Sequence, residues 1–218
     1  MSTLITRLFR LERDLAQSKR FDEVGERNLF TSIEQEPGTL AMYATHMADD
    51  ASVCYVFEVY AGQDAYEVHA NAPHFKAYVQ MAADVLTGRE VISVVPELML
   101  EKKTPLRVVS GSPVAPRLAR ITVPQEHDEA FREAVFTNMR ASIAQEDGVL
   151  VMYAATLADE PTKWVFWEVY ASEEAYAAHR DTDHFKAYIE ATKELVSEKE
   201  LIPLTPDTLV NKGTLGNE

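Results

Sequence analysis

The chain has 218 residues, 46% of them hydrophobic, and a formal net charge of −14. That charge argues against nucleic acid or an anionic membrane surface as a partner, because phosphate binding needs a basic face that releases counterions. The apolar content suffices for two compact cores, no apolar run approaches the roughly 20 residues of a membrane span, and the single cysteine, Cys54, rules out an internal disulfide.

One thiol fits a reducing cytoplasm, which is the expected location. The N-terminal residues show no basic region, long apolar core or small-residue cleavage site, so no signal peptide is expected. From there Leu4, Thr6, Leu8 and Arg10 alternate with Ile5, Arg7, Phe9 and Leu11, the period of a strand. A helix follows over 17–35, where Phe21, Val24, Asn28 and Ser32 recur three or four apart with Leu29 and Ile33 beside them. Pro37-Gly38 stops it. Strands are predicted over 40–47 and 53–60 around an Ala48-Asp49-Asp50 turn. The second of these is apolar on both faces and should lie centrally, covered twice. A short helix over 64–69, a break at Asn71-Ala72-Pro73, a longer helix from His74 to about Leu86 and a strand over 91–100 complete the unit. The order βαββαβ is the ferredoxin-like arrangement of the α+β class, an antiparallel sheet with two helices on one face.

The whole pattern then recurs 110 residues later. Phe57-Glu58-Val59-Tyr60-Ala61 returns as Trp167-Glu168-Val169-Tyr170-Ala171, and His74-Phe75-Lys76-Ala77-Tyr78 returns unchanged from His184 to Tyr188. Between Glu36 and Met81, 20 of 46 positions are identical to their counterparts without a gap. A period of this length is a domain and not a solenoid repeat. Two domains are therefore expected, 1–100 and 117–218, joined by a linker over 101–116 in which Leu106–Val109 could add a strand. Each sheet would have one bare face. Stacking the two bare faces gives an intrachain pseudo-dimer with a pseudo-two-fold axis, and leaves a further homodimer open.

Several polar residues occupy positions where the pattern calls for apolar ones. Glu58 and Glu168 interrupt apolar strands, where an unpaired carboxylate would cost several kcal/mol. Each either makes structural hydrogen bonds or orients a histidine. His69 and His179 follow Ala65 and Ala175 by four residues, hence share an inward helix face. His74 and His184 open the next helix, where a neutral imidazole could exchange protons or simply cap the helix. Asn28 and Asn138 sit in the apolar stripe of the first helix and could bind a ligand or satisfy backbone groups. Tyr43, Tyr153, Phe57 and Trp167 are core residues or pocket walls. No phosphate loop, dinucleotide fingerprint or Cys-x-x-Cys pair is present. His-x4-His on a continuous helix would turn the rings about 140° apart, so no metal site is expected unless the break at Pro73 reorients His74.

With Glu-Val-Tyr, Ala-Tyr, His and His-Phe-Lys-Ala-Tyr in order in both copies, the chain resembles the antibiotic-biosynthesis-monooxygenase domain, and within it the small quinol-monooxygenase-like proteins. The resemblance implies a dimeric α+β barrel, fused into one polypeptide. It also implies oxygenation of a small phenolic or quinol-type substrate by molecular oxygen with no cofactor. Under it His69 and His179 are the bases, Glu58 and Glu168 orient them, Asn28 and Asn138 bind substrate or peroxy oxygen, and His74, His184, Tyr43, Tyr153, Phe57 and Trp167 complete the binding site. An isomerase acting on a small carbonyl compound and a non-catalytic ligand-binding barrel are the alternatives.

The copies differ in bulk at Val56/Phe166, Phe57/Trp167, Cys54/Trp164 and His46/Thr156. The first copy is therefore expected to hold the roomier pocket, with His69 more important than His179.

Overall fold

The computed structural model describes residues 4–216. Its fold is α+β, with the expected βαββαβ order in each copy. The first copy runs β1 (Ile5–Arg13), α1 (Ser18–Gln35), β2 (Thr39–Met47), β3 (Val53–Tyr60), α2 (Gln63–Asn71), α3 (Pro73–Val85) and β4 (Leu86–Glu101). After the short β5 (Arg107–Val109), the second copy runs β6 (Ala115–Thr122), α4 (Asp128–Gln145), β7 (Val149–Leu157), β8 (Lys163–Tyr170), α5 (Glu173–Asp181), α6 (Asp183–Thr192) and β9 (Glu198–Asn211). No helix among the described residues is long and apolar enough to cross a membrane.

The compact units are not the two copies taken whole. Unit 1 comprises the described residues up to Ser93 with Thr104–Ser112 and Leu204–Thr214. Unit 2 comprises Val94–Lys103 and Pro113–Pro203, with the described residues from Leu215 onward. The reason is the length of β4 and β9. The sequence pattern starts the last strand at 91; β4 instead starts at Leu86 and is 16 residues long. In unit 1 its first half pairs with β1, β1 pairs with β3, β3 with β2, and the free edge of β2 takes Leu204–Asn211 of β9. In unit 2 the first half of β9 pairs with β6, β6 with β8, β8 with β7, and β7 takes Val94–Glu101 of β4. The register of each ladder shifts beside a proline, Pro96 in β4 and opposite Pro206 in β9, where the missing N–H cannot serve the ladder. Part of the expected linker is structured too: β5 pairs with β9 in unit 1. Lys102 Nζ donates to the Ile143 carbonyl near the end of α4 at 2.6 Å, and Lys212 Nζ donates to the Glu36 carbonyl just after α1 at 2.6 Å. A cation at a helix C-terminus meets both the unpaired carbonyls and the dipole.

β3 is buried at every position, as its two apolar faces imply. Helix α1 packs on α3, and α4 on α6. In unit 1 Leu11, Phe21, Cys54, Val56, Met81 and Val85 form a cluster, with Phe9 and Tyr78 against it. Cys54 is a packed thiol, and burial pushes its pKa up to about 12. In unit 2 Trp164 stacks on Phe166, 5.9 Å between ring centroids, and Phe131 meets both edge-on.

The turn after the first helix of each copy approaches the second helix too closely for a side chain. A Cβ at Gly148 would stand 2.7 Å from the Ala175 Cβ, and one at Gly38 would stand 2.4 Å from the Ala65 Cβ. Gly148→Ala is therefore expected to destabilise the protein by about 1–3 kcal/mol through overpacking. Adding Ala175→Gly should recover part of the loss, read as the thermal unfolding midpoint of the single and double variants.

Candidate active site

Two clusters of side chains arise from the same local folding. In unit 1, α1 ends at Glu36, whose backbone N–H closes the helix on Ser32 O at 2.9 Å. The chain breaks between α2 and α3 because Pro73 takes the first helical position, where its missing N–H costs nothing. That break swings His74 round to the side of His69. His69 Nδ1 lies 3.1 Å from Glu36 Oε2, and His74 Nε2 lies 2.8 Å from Glu36 Oε1. The Thr39 hydroxyl donates to the same carboxylate at 2.5 Å. Unit 2 makes its break without proline. The Thr182 hydroxyl accepts from Phe185 N at 3.3 Å and so caps α6. His179 Nδ1 and His184 Nε2 then both meet Glu146 Oε1, at 2.9 and 2.6 Å.

An ionised carboxylate only accepts, so each of these ring nitrogens carries the hydrogen. Burial pushes the Glu36 carboxyl pKa up, but the hydrogen bonds from His69, Thr39 and His74 outweigh it, and the pKa lies below its ordinary value. Glu146 is lowered in the same way by His179 and His184 against its burial. Each trio brings three donor atoms within 4.8 Å, a set that zinc could use. The separations of 2.6–3.1 Å are those of direct N–H···O bonds. A metal would have to displace both imidazole protons.

The carboxylates singled out in the strands do something else. Glu58 does not orient His69; Glu36 does. Glu58 Oε2 accepts from the Tyr60 hydroxyl at 2.9 Å, the hydroxyl donor being the alternative to a histidine partner, and Glu168 accepts from Tyr170 at 2.8 Å. Burial raises the Glu58 carboxyl pKa and holds the Tyr60 phenol well above its ordinary range. His69 and His179 are completely buried, and the remaining ring nitrogen of His69, Nε2, faces no partner. Its ring packs 4.5 Å from that of Phe75 and 5.4 Å from that of Tyr60. Asn28 and Asn138 are buried too, and the amide oxygen of each is unpaired.

A cavity of about 650 Å³ opens in unit 2 between the sheet face and α5/α6. Ala119, Phe166, Tyr176, Phe185 and Tyr188 line it, with Glu168 and Tyr170 as polar wall and Arg180, Lys186 and Lys199 among the charged groups. Strand alternation turns Tyr153 and Trp167 to the opposite face from Phe166 and Glu168, and Tyr43 and Phe57 likewise in unit 1. There the Tyr43 hydroxyl accepts from Asn211 Nδ2 at 2.9 Å, and Tyr153 donates to Glu101. None of these four, nor His179, His184 or Asn138, is among the residues lining the cavity.

Unit 1 was expected to hold the roomier pocket; this cavity lies in unit 2. The bulky residues of the second copy went into the core, where Trp164 and Phe166 stack, and space was released elsewhere. Ala119 stands where the first copy has Phe9, and Ala191 where it has Met81. Glu36 and Glu146 were missed altogether. Their only signal is identity between the copies just before the turn dipeptide.

Glu146→Gln should lower the unfolding free energy near neutral pH by about 1–3 kcal/mol, the range for losing a charged hydrogen-bond acceptor. A depressed carboxyl pKa stabilises above the unfolded value and is lost as pH falls through the folded one. The gap between variant and wild type should therefore narrow as pH drops below about 4. Urea unfolding from pH 7 to 3 measures it, and a gap that stays constant would refute the assignment.

The pattern that defines the family described as antibiotic biosynthesis monooxygenase matches residues 6–81 and again 117–191. Among solved structures, a protein from Lactobacillus acidophilus NCFM described as a "putative monooxygenase" is 30% identical over 97% of this chain and 98% of its own, with a TM-score of 0.89. A protein of the same description from Fusobacterium nucleatum subsp. nucleatum ATCC 25586 is 22% identical over 98% of this chain and 97% of its own, TM-score 0.89, a likeness of fold. An anthrone oxidase-like protein shares the fold at 16% identity and a TM-score of 0.59, over 98% of this chain and 94% of its own. No curated protein matches the chain. A pattern matched in both copies, together with a relative that is similar from end to end, makes this chain a member of the antibiotic biosynthesis monooxygenase family.

Proposed function

We propose that the protein is a monooxygenase that oxidises a small phenolic or quinol-type substrate with molecular oxygen, the substrate itself supplying the electrons, in the cavity of unit 2. The carrying observation is that cavity: about 650 Å³, lined by aromatic rings, with the Glu168 carboxylate at its sheet face beside the Tyr170 hydroxyl, and Asp181 and Glu190 on its helices. The volume suits a molecule of one to three rings. Family membership and the description of the Lactobacillus relative support the reaction class.

In this reading Glu168 accepts the phenolic proton, as a general base within the cavity. The phenolate passes one electron to oxygen, the two radicals combine at a ring carbon, and the peroxide loses water to leave a carbonyl. A phenol and one oxygen molecule thus give a quinone and water, with one oxygen atom kept and one released. Tyr170 holds the carboxylate in place. The Glu146–His179–His184 trio serves from behind, fixing α5 and α6 and with them Tyr176, Phe185 and Tyr188.

Oxygen uptake on a panel of naphthols and quinols tests this. Glu168→Gln should lower kcat by about 100-fold or more, the usual contribution of a general base, whereas Glu58→Gln should leave it within about twofold. Product formation that continues without oxygen would overturn the oxygenase reading in favour of a proton-transfer isomerase. Equal losses from the two variants would remove Glu168 from its role.

A further inference from the structure

We propose that the residue at one strand position, Phe9 in β1 and Ala119 in β6, decides which unit accepts a ligand, so that the chain binds one hydroxylated aromatic molecule, in unit 2, and unit 1 is closed. The ligand class rests on the proposed function; the closure of unit 1 rests on geometry alone.

The two positions are equivalent in register. Phe9 stands opposite Val56 in the β1–β3 ladder, and Ala119 stands opposite Phe166 in the β6–β8 ladder. Side chains of equivalent strand residues point to the same face, and Ala119 lines the cavity. In unit 1 that volume receives a benzyl group. The Phe9 ring packs on the cluster of Leu11, Phe21, Cys54, Val56, Met81 and Val85. It is flanked by two guanidinium groups, Arg7 at 5.2 Å and Arg89 at 5.6 Å from its centroid. Such contacts hold an aromatic ring in place.

The arginine is placed alike in the two units, Arg7 over Tyr66 and Arg117 over Tyr176, each at 4.7 Å, and Arg117 also pairs with Glu173. The other features change in unit 2. Lys199 replaces Arg89 and lines the cavity. Met81, buried in unit 1, is replaced by the exposed Ala191. Helix α3 has 13 residues and α6 has 10, so the helix over the sheet stops about a turn sooner in unit 2. The conserved pair of carboxylates follows suit. Glu58 is 7% exposed, whereas Glu168 is only partly buried and lines the open space. The same acid is sealed in one unit and presented in the other.

Anaerobic calorimetric titration of the full chain with 2-naphthol tests the proposal, since binding is read without turnover. The wild type should bind one molecule per chain. Ala119→Phe should abolish binding or weaken it at least tenfold. Phe9→Ala, or the milder Phe9→Leu if the first unfolds, should raise the stoichiometry towards two. Ala119→Leu serves in the same way as the second unit 2 variant, and thermal unfolding confirms that each variant used is folded. Two sites in the wild type, full-strength binding by a folded Ala119 variant, or no binding of naphthol by the wild type would overturn the proposal. One-to-one binding with no oxygen uptake by any naphthol or quinol would instead defeat the monooxygenase reading and leave the gate standing.

Discussion

A carboxylate at the end of the first helix of each copy takes hydrogen bonds from two imidazoles on two further helices, and the placement of everything above the sheet follows from it. Glu36 is a buried anion and Glu146 a part-buried one, both in need of donors, and an anion left buried and unpaired would cost several kcal/mol. The donors lie 33 and 38 residues further on, so three helices are tied at one point in each unit. The helix break between the two histidines is what allows it. Proline enforces that break in one copy and a threonine cap in the other, different local chemistry arriving at one geometry.

That tie explains why the histidines are the same in both copies although neither fully buried ring lines the cavity. One nitrogen of each ring is engaged in holding the carboxylate. Glu58 and Glu168 hang from the central strand of each sheet and are each steadied by the tyrosine two residues along. What distinguishes them is the space in front. In unit 1 Phe9 packs on the cluster that contains Met81, at positions where unit 2 has Ala119 and Ala191, and interiors packed at crystal-like density tolerate few voids.

The exchange of strand ends has a related consequence. β4 and β9 each complete the edge of a sheet begun by the other copy, so no unit is encoded by a single uninterrupted stretch of chain. Unpaired sheet edges invite association with other chains, and here the edge of β2 and the edge of β7 are both paired. The lysines just past those strands, Lys102 and Lys212, then reach the C-terminal ends of α4 and α1.

Sequence periodicity and the internal repeat were enough to determine the α+β class, the βαββαβ order and the helix breaks, because these depend on local alternation, turn residues and burial of one face. The repeat also singled out Glu58, His69, His74 and Asn28 with their counterparts, of which the glutamates pair with tyrosines and the histidines with a carboxylate. Their partners were decided only in three dimensions. Glu36 reads as an ordinary helix-end glutamate until His69 is folded against it, and no spacing rule links residues 33 apart. Strand alternation assigned Phe57 and Trp167 a face but could not say that the cavity opens on the other. Nor could it say that a ligand-sized cavity opens in unit 2 despite the bulk of Phe166. Side-chain volumes along one strand count for nothing alone; Trp164 and Phe166 found room by stacking, while single substitutions on a neighbouring strand and a shorter helix opened the space. Volume in a folded protein is a sum over elements distant in sequence, and only the tertiary structure performs that sum.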